Sequence, residues 1–339
     1  MLLKRLVLKS LTVSLITVFG LTSAAFAASV VTDTTLYAPG ELVVIQGDGY
    51  LAGETVTVVV SPTTTGPTET LYPVADGSGR FVVDCPLGYD YIDGETMQVE
   101  ADGNISGDQA VTAFTSAIKV NLDQLHNGTA SGDTAWANGN INNQNSCYAE
   151  GDAVPFRYFI TGLAGGTSHV YTLQMEWTKG GIHAYDQWVD YDFSEAVSIA
   201  AVGGPCGTIS TASPGDCSTP TDSATFPDPT NLANWAGTPA DSFPAGFMRD
   251  LPAQLKYYNA VVDSFGTYFF TGTASDRELN VKVYFSTIDT ASVGFFWGGH
   301  LSEGIPGQWG VGQGAASVGG APYHMRAINF DEAGGKNQD

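Results

Sequence analysis

The chain has 339 residues, of which 35 are Asp or Glu and 13 are Lys or Arg, for a net charge of −22. So strong an excess of scattered acids excludes a nucleic-acid binder or an anionic lipid surface as the natural partner and gives a solvated acidic exterior. Aromatic residues and 41 glycines, with helical periodicity nearly absent, point to strands and turns.

Residues 1–27 have the order of a secretory signal. Lys4, Arg5 and Lys9 precede the apolar run Leu11–Ala25, and Ala25-Phe26-Ala27 has small residues around a bulky one. Cleavage is expected before Ala28. The run is too short for a confident membrane anchor, which needs about 20 apolar residues, and no later stretch qualifies. The destination is therefore secreted, extracellular or cell-surface, with no membrane span after cleavage.

Residues 28–116 read as an N-terminal immunoglobulin-like β-sandwich. Leu42–Ile45, Thr55–Val60, Glu69–Val74, Arg80–Asp84, Thr96–Ala101 and Ala110–Thr115 are expected strands, and Asp76-Gly77 and Asp93-Gly94 are turn signals. Six or seven short strands in this length suit such a module. The stretch Pro39-Gly-Glu41, Gly47-Asp-Gly-Tyr50 and Gly53-Glu-Thr-Val56 also resembles the opening of Ig-like modules of bacterial surface proteins. Gly47-x-Gly49 is no phosphate loop, because no helix follows it. The Val/Thr-rich segment 28–37 admits two readings. It is the first strand of its own module, or an assembly strand in which Val30, Val31 and Leu36 fill a sheet edge of the next subunit.

A boundary is expected at 116–122, and residues 118–339 form a larger β-sandwich. Its expected strands are Phe156–Ile160, His169–Trp177, Trp188–Phe193, Thr267–Thr273, Leu279–Ser286 and Ser292–Trp297. Residues 204–250, rich in Pro, Ser, Thr and Asp, read as a long disulfide-bearing insertion, followed by a brief helix near Leu251–Val262. The fold class is thus all-β. In an oxidising destination Cys85, Cys147, Cys206 and Cys217 are expected in disulfides. Cys206–Cys217 is favoured because Gly203-Gly-Pro205 and Pro214-Gly215 make the loop bendable, which leaves Cys85–Cys147.

Asp186, Asp190 and Asp192 share parity in an extended stretch, and oxygen ligands of that kind suit calcium. The alternative is acids facing water beside buried Tyr185 and Trp188. Trp136, Trp188, Trp235 and Trp309 are candidates for stacking on surface glycans; the alternative is that they fill the core. Ser302, His324 and Asp331 can be named for a hydrolase, but no Gly-x-Ser-x-Gly elbow supports them. No catalytic residue is assigned, and a non-enzymatic protein is expected.

Several motifs carry a family resemblance: Ala137-Asn-Gly-Asn-Ile141; Tyr148-x-Glu150-Gly-Asp152-x-Val154-Pro-Phe-Arg157; Lys179-Gly-Gly-x-His183-Ala-Tyr-Asp186; Trp297-Gly-Gly-His300; Trp309-Gly310; Ala321-Pro-Tyr-His324-Met-Arg326; and Gly335-x-Asn337-Gln-Asp339. Residues 118–339 resemble a poorly characterised family of secreted bacterial and archaeal surface proteins. The resemblance implies adhesive or matrix components, makes His183, His300, His324 and Arg326 signature positions, and carries over no catalytic residue. Its members commonly continue past the last motif, so the end at Asp339 admits a complete short subunit, a processed product or an incomplete sequence. A terminus used in assembly is the preferred expectation. The resulting expectation is an extracellular structural subunit forming a head-to-tail polymer of identical chains: a filament, pilus-like fibre or surface-layer matrix. A carbohydrate- or calcium-binding adhesion module is the first alternative, and a secreted hydrolase the second.

Overall fold

A computed structural model describes residues 27–37, 41–63, 66, 68–87, 95–128, 134–138, 141–142, 145–207, 219–237, 243–244, 252–289, 292–319 and 324–332. Residues 1–26, where the secretory signal is expected, and residues 208–218 (with Cys217), 238–242 and 245–250 of the expected insertion lie outside the described residues. The first eight strands are β1 (Ser29–Thr32), β2 (Leu36–Tyr37), β3 (Leu42–Asp48), β4 (Val56–Pro62), β5 (Glu69–Leu71), β6 (Phe81–Pro86), β7 (Glu95–Gly103) and β8 (Gln109–Ser116). They form a three-stranded sheet, β1-β3-β6, and a five-stranded sheet, β2-β8-β7-β4-β5. The alternation in Val56-Thr-Val-Val-Val-Ser-Pro62 explains the packing. Val56, Val58 and Val60 are fully buried, while Thr57, Val59 and Ser61 lie half-buried on the other face. They share one core with Val43, Ile45, Phe81 and Cys85 from the facing sheet.

Segment 28–37 is paired within its own chain. β1 runs antiparallel to β3 with Val30 opposite Gly47, and β2 lies parallel to β8 with Leu36 opposite Thr115. Val30 points into the core, whereas Val31 and Leu36 are exposed. The expected Cys85–Cys147 bridge is not formed, and both thiols are free. The reason is orientation: Cys85 is turned into the apolar core of the first sandwich, while Cys147 is exposed in the second. Cys206 is disulfide-bonded.

A buried carboxylate fastens the loops at one end of this sandwich. Glu54 is 1% exposed, and it accepts hydrogen bonds from the backbone N–H groups of Leu51, Ile105 and Ser106 and from the Ser106 hydroxyl. Burial raises its pKa, but these donors outweigh burial and hold it below the ordinary 4.5. A carboxyl depressed on folding contributes stability that is fully present above its unfolded pKa and lost as pH falls through the folded one. Urea midpoints should therefore fall with acidification below about 4.5, and Glu54→Gln should flatten that part of the profile.

The second set comprises β9 (Lys119–His126), β10 (Ala135–Ala137), β11 (Ala153–Thr161), β12 (Ser168–Lys179), β13 (Ile182–His183), β14 (Tyr185–Val189), β15 (Asp222–Thr225), β16 (Gln254–Tyr258), β17 (Ala260–Phe265), β18 (Phe269–Gly272), β19 (Arg277–Thr287), β20 (Val293–Leu301) and β21 (Met325–Ile328). One sheet has the order β10-β9-β11-β20-β16-β15, with β14 also pairing to β20. The other has β13-β12-β19-β17, with β18 on β19 and β21 on β12. Aromatic and branched side chains from both sheets, among them Tyr158, Tyr171, Trp177, Phe285, Phe295 and Trp297, fill the space between them.

The central strands β11 and β20 are buried on both faces. Phe159 and Phe296 face away from the main core into a smaller cluster with Leu125, Trp136, Tyr191 and Ile199. Ile199 belongs to a six-residue helix, α1 (Ala196–Ala201), which ends before Gly203 and Gly204 at φ 80° and 87°.

Two sequence expectations change. The helix foreseen over 251–262 is instead β16, a turn and β17. Leu255 and Tyr257 alternate inward, and Asn259 takes φ 52° at the turn, with its side-chain carbonyl accepting from the Asp289 N–H. The strand expected over Trp188–Phe193 lies earlier, at Tyr185–Val189.

Candidate functional site

The motif residues converge at β20. Gly298 and Gly299 lie opposite Val189 and Trp188 of β14, and neither leaves room for a side chain. A Cβ on Gly298 would come within 2.8 Å of the Asp190 carbonyl oxygen, and one on Gly299 within 2.7 Å of Met325 Cε and 3.0 Å of the Tyr185 ring. This close approach explains the paired glycines of Trp297-Gly-Gly-His300.

A register shift between Tyr185 and Gln187 accompanies the inward placement of Asp186. Its Oδ1 lies 2.7 Å from His300 Nδ1, and its Oδ2 accepts from Trp309 Nε1 at 2.8 Å. The carboxylate accepts at both oxygens, so His300 donates from Nδ1. Asp186 and His300 are each 1% exposed. Trp309 stacks on the His183 ring at 3.5 Å between centroids and meets Trp177 edge-on at 5.3 Å.

Neighbouring motif residues fasten the surrounding segments. Glu150 accepts from the N–H groups of Gly304 and Ala316, each at 2.9 Å. Glu176 accepts from the N–H of His324 at 2.7 Å and from Lys179 Nζ at 2.9 Å. Arg326 donates to Gln174 Oε1. Arg157 is fully buried. It donates to Asp123 Oδ2 at 3.1 Å and to the carbonyls of Pro205 and Gly207, and its guanidinium lies 4.4 Å from the Trp136 ring centre. Burial pulls its pKa down to about 10, with Asp123 opposing, so it remains a cation at neutral pH.

Ser302, His324 and Asp331 are not brought together as a hydrolase would need. The Ser302 hydroxyl donates to the His183 carbonyl, the backbone of His324 is fastened to Glu176, and Asp331 binds His169 Nδ1 at 2.8 Å and the Val170 N–H. Sequence reading missed His169, whose Nε2 lies 2.7 Å from the Thr167 hydroxyl. Only alternation in Thr167-x-His169 hints at that link, and its carboxylate comes from the far end of the chain. The Thr167 hydroxyl also lies 2.6 Å from the Ala164 carbonyl, a hydrogen-bond acceptor that suits a fastening role.

The three acids proposed for calcium do not form one group either. Asp186 is held by His300 and Trp309, whereas Lys256 Nζ lies 3.0 Å from Asp190 and 3.6 Å from Asp192. The strand ends at Val189, so the shared parity of an extended run does not persist through Asp192. Among the described residues, no group of three or more His, Cys, Asp or Glu side chains is arranged to hold a metal. Burial raises the pKa of Asp190, the Lys256 hydrogen bond opposes this, and Asp192 adds to it.

The expectation that Trp136, Trp188 and Trp235 present open faces to glycans also fails, because all three are buried. Trp136 donates to the Gly204 carbonyl, Trp235 to that of Pro229, and Trp188 stacks between Phe226 and Tyr268. Trp309 is half-buried against His183. Beside Trp188 lies a narrow cleft lined by Met175, Asp186, Gln187, Phe226 and Tyr268, with room for about one water molecule.

No family model matches the chain, and no curated protein matches it. It is similar to macromomycin at 14% identity and a TM-score of 0.22, over 27% of this chain and 100% of that one. It is similar to a Salmonella alpha-2-macroglobulin mutant at 16% identity and a TM-score of 0.23, over 48% of this chain and only 11% of that one. A type II cohesin dyad from the adaptor ScaA scaffoldin of Acetivibrio cellulolyticus gives 11% identity and a TM-score of 0.16, over 79% and 84%. Similarity at this level assigns neither fold family nor function. Among the described residues, no helix is long and apolar enough to cross a membrane.

Proposed function

We propose that this chain is an extracellular structural subunit that assembles with copies of itself into a filament or surface matrix. The observation that carries this reading is the sealed Asp186–His300–Trp309 group. The residues with most chemical potential in the second sandwich are engaged in holding β14, β20 and the following loop together. A protein built this way acts through its shape and surface. The secretory order of residues 1–27 supports export, the short paired sheets of 29–116 support the Ig-like reading, and a Cys206–Cys217 bridge within the insertion fits the same oxidising destination.

The first sandwich offers a contact for a second copy. On the outer face of its three-stranded sheet, Val31 and Val82 lie across Gln46 from each other. With Leu42 they are 54%, 65% and 57% exposed. β1 and β6 are the outer strands of that sheet among the described residues, so its edges are suited to edge-to-edge pairing.

Electron microscopy and light scattering of the purified mature protein, across a range of calcium and salt, test the proposal. Extended polymers are expected. Val31→Glu combined with Val82→Glu should shorten or abolish them while leaving the circular dichroism spectrum unchanged. Monodisperse monomers under every condition would overturn the reading. Saturable glycan binding by such monomers would favour an adhesion module instead.

A further inference from the structure

The two roots of the 204–250 insertion meet where β14 leaves the sheet and β16 enters it. The Asp190 N–H donates to the Pro252 carbonyl at 2.7 Å, and both β14 and β16 pair with β20. At this junction Lys256 Nζ lies 3.0 Å from Asp190 Oδ2 and 3.6 Å from Asp192 Oδ1, over the Tyr191 ring at 4.9 Å. Asp190 is 8% exposed, and its Oδ1 is buried with no hydrogen-bond partner. We propose that Lys256 Nζ and Asp190 Cγ become joined in an intramolecular isopeptide bond, with Asp192 relaying the proton.

The nitrogen lies 3.0 Å from an oxygen bonded to the carbon it would attack. Reaction needs a free amine and a neutral acid, since an ammonium has no lone pair and a carboxylate is a poor electrophile. The Lys256–Asp190 contact lets one proton pass from the ammonium to the carboxylate, giving both neutral partners. Burial of Asp190 and the negative charge of Asp192 favour its protonated form, and the Lys256 hydrogen bond opposes this. The two carboxylates favour the Lys256 ammonium, so the neutral pair is the minor state from which the reaction proceeds. The amine then adds to Cγ and the N–C bond forms. Asp192 takes a proton from the nitrogen and returns it to the departing hydroxyl, the C–O bond breaks, and one water leaves. Ammonium plus carboxylate becomes amide plus water, with no oxidant or co-reactant.

The half-buried pair Lys179–Glu176 makes a useful contrast. There the second carboxylate oxygen accepts the His324 N–H. At Asp190 the second oxygen has no such donor. The product would close the chain covalently from 190 to 256, around the whole insertion, whether or not the protein polymerises.

Tandem mass spectrometry of a reduced tryptic digest of the mature protein tests this. The expected product is a branched peptide joining the Lys256 and Asp190 segments, lighter than their sum by one water. Trypsin should fail to cleave at Lys256. Lys256→Arg keeps the positive charge, and Asp190→Ala removes the carboxyl; each should abolish the branched peptide. Asp192→Asn should slow its formation in a chain whose circular dichroism is unchanged. Only linear peptides from wild-type protein after prolonged incubation would overturn the proposal, and undiminished cross-linking in Asp192→Asn would remove Asp192 from it.

Discussion

Arg157→Ala should lower the free energy of unfolding by about 3–5 kcal/mol, the usual effect of stripping one partner from a buried ion pair. The side chain is fully buried and serves four partners at once. It neutralises Asp123, donates to the carbonyls of Pro205 and Gly207, and covers the Trp136 ring. Alanine would leave Asp123, itself 1% exposed, as an uncompensated buried charge. Arg157→Lys should recover little, because a single ammonium on a flexible stem cannot reproduce a planar fork that reaches a carboxylate and two carbonyls. Arg157→Met combined with Asp123→Leu removes both charges and should be milder than Arg157→Ala, since well-packed apolar replacements of buried pairs are often tolerated. Urea denaturation measures the stability differences. Amide exchange adds a spatial readout: protection around 203–207, which includes the disulfide-bonded Cys206, should fall in Arg157→Ala. A loss under 1 kcal/mol would mean that the pair contributes far less than its burial implies.

Strand content was legible wherever one face is buried and the other wet. Val56-Thr-Val-Val-Val60 and the flanking turn residues announce β4, and β7 and β8 follow the same logic. Legibility fell where that alternation fails. β11 and β20 are covered on both faces, so Phe159 and Phe296 pack outside the main core as securely as Tyr158 and Phe295 do within it, and their burial pattern gives no phase. Leu251–Val262 has a helix-compatible length, but Tyr257, Tyr258, Val261 and Val262 favour strands, and one residue, Asn259, supplies the reversal between them.

Site reading was limited for a different reason. Sequence spacing grouped Asp186 with Asp190 and Asp192 because an extended chain repeats every second residue. The register shift before Gln187 and the end of the strand at Val189 broke the grouping. His300, Trp309 and Lys256 then claimed the acids from distances along the chain that no local pattern reveals. The tryptophans were ambiguous on composition alone: a ring suited to a sugar face is equally suited to a sandwich core. The glycine pair in Trp297-Gly-Gly-His300 did carry correct information, as a demand for close approach by Asp190, Tyr185 and Met325.

Asp186→Ala is expected to be comparably severe, at about 3–5 kcal/mol, and to act locally on the motif cluster. The substitution strands a buried donor, His300 Nδ1, and a part-buried one, Trp309 Nε1, that share one carboxylate. A buried donor left unsatisfied costs about 1–3 kcal/mol, and the two donors plus the vacated volume account for the size of the effect. Asp186→Asn should cost less, because its one carbonyl oxygen still accepts from one donor. The two single losses should not add: once Asp186 is gone, replacing His300 by alanine removes a stranded donor, so a double-mutant cycle should show coupling well above the 0.3–0.5 kcal/mol scatter of independent sites. Trp309 provides a direct optical reporter, since freeing its indole N–H should alter its fluorescence in the folded protein before any unfolding. Unchanged emission and additive energies together would show that Asp186 does not couple the loop bearing Trp309 to β20.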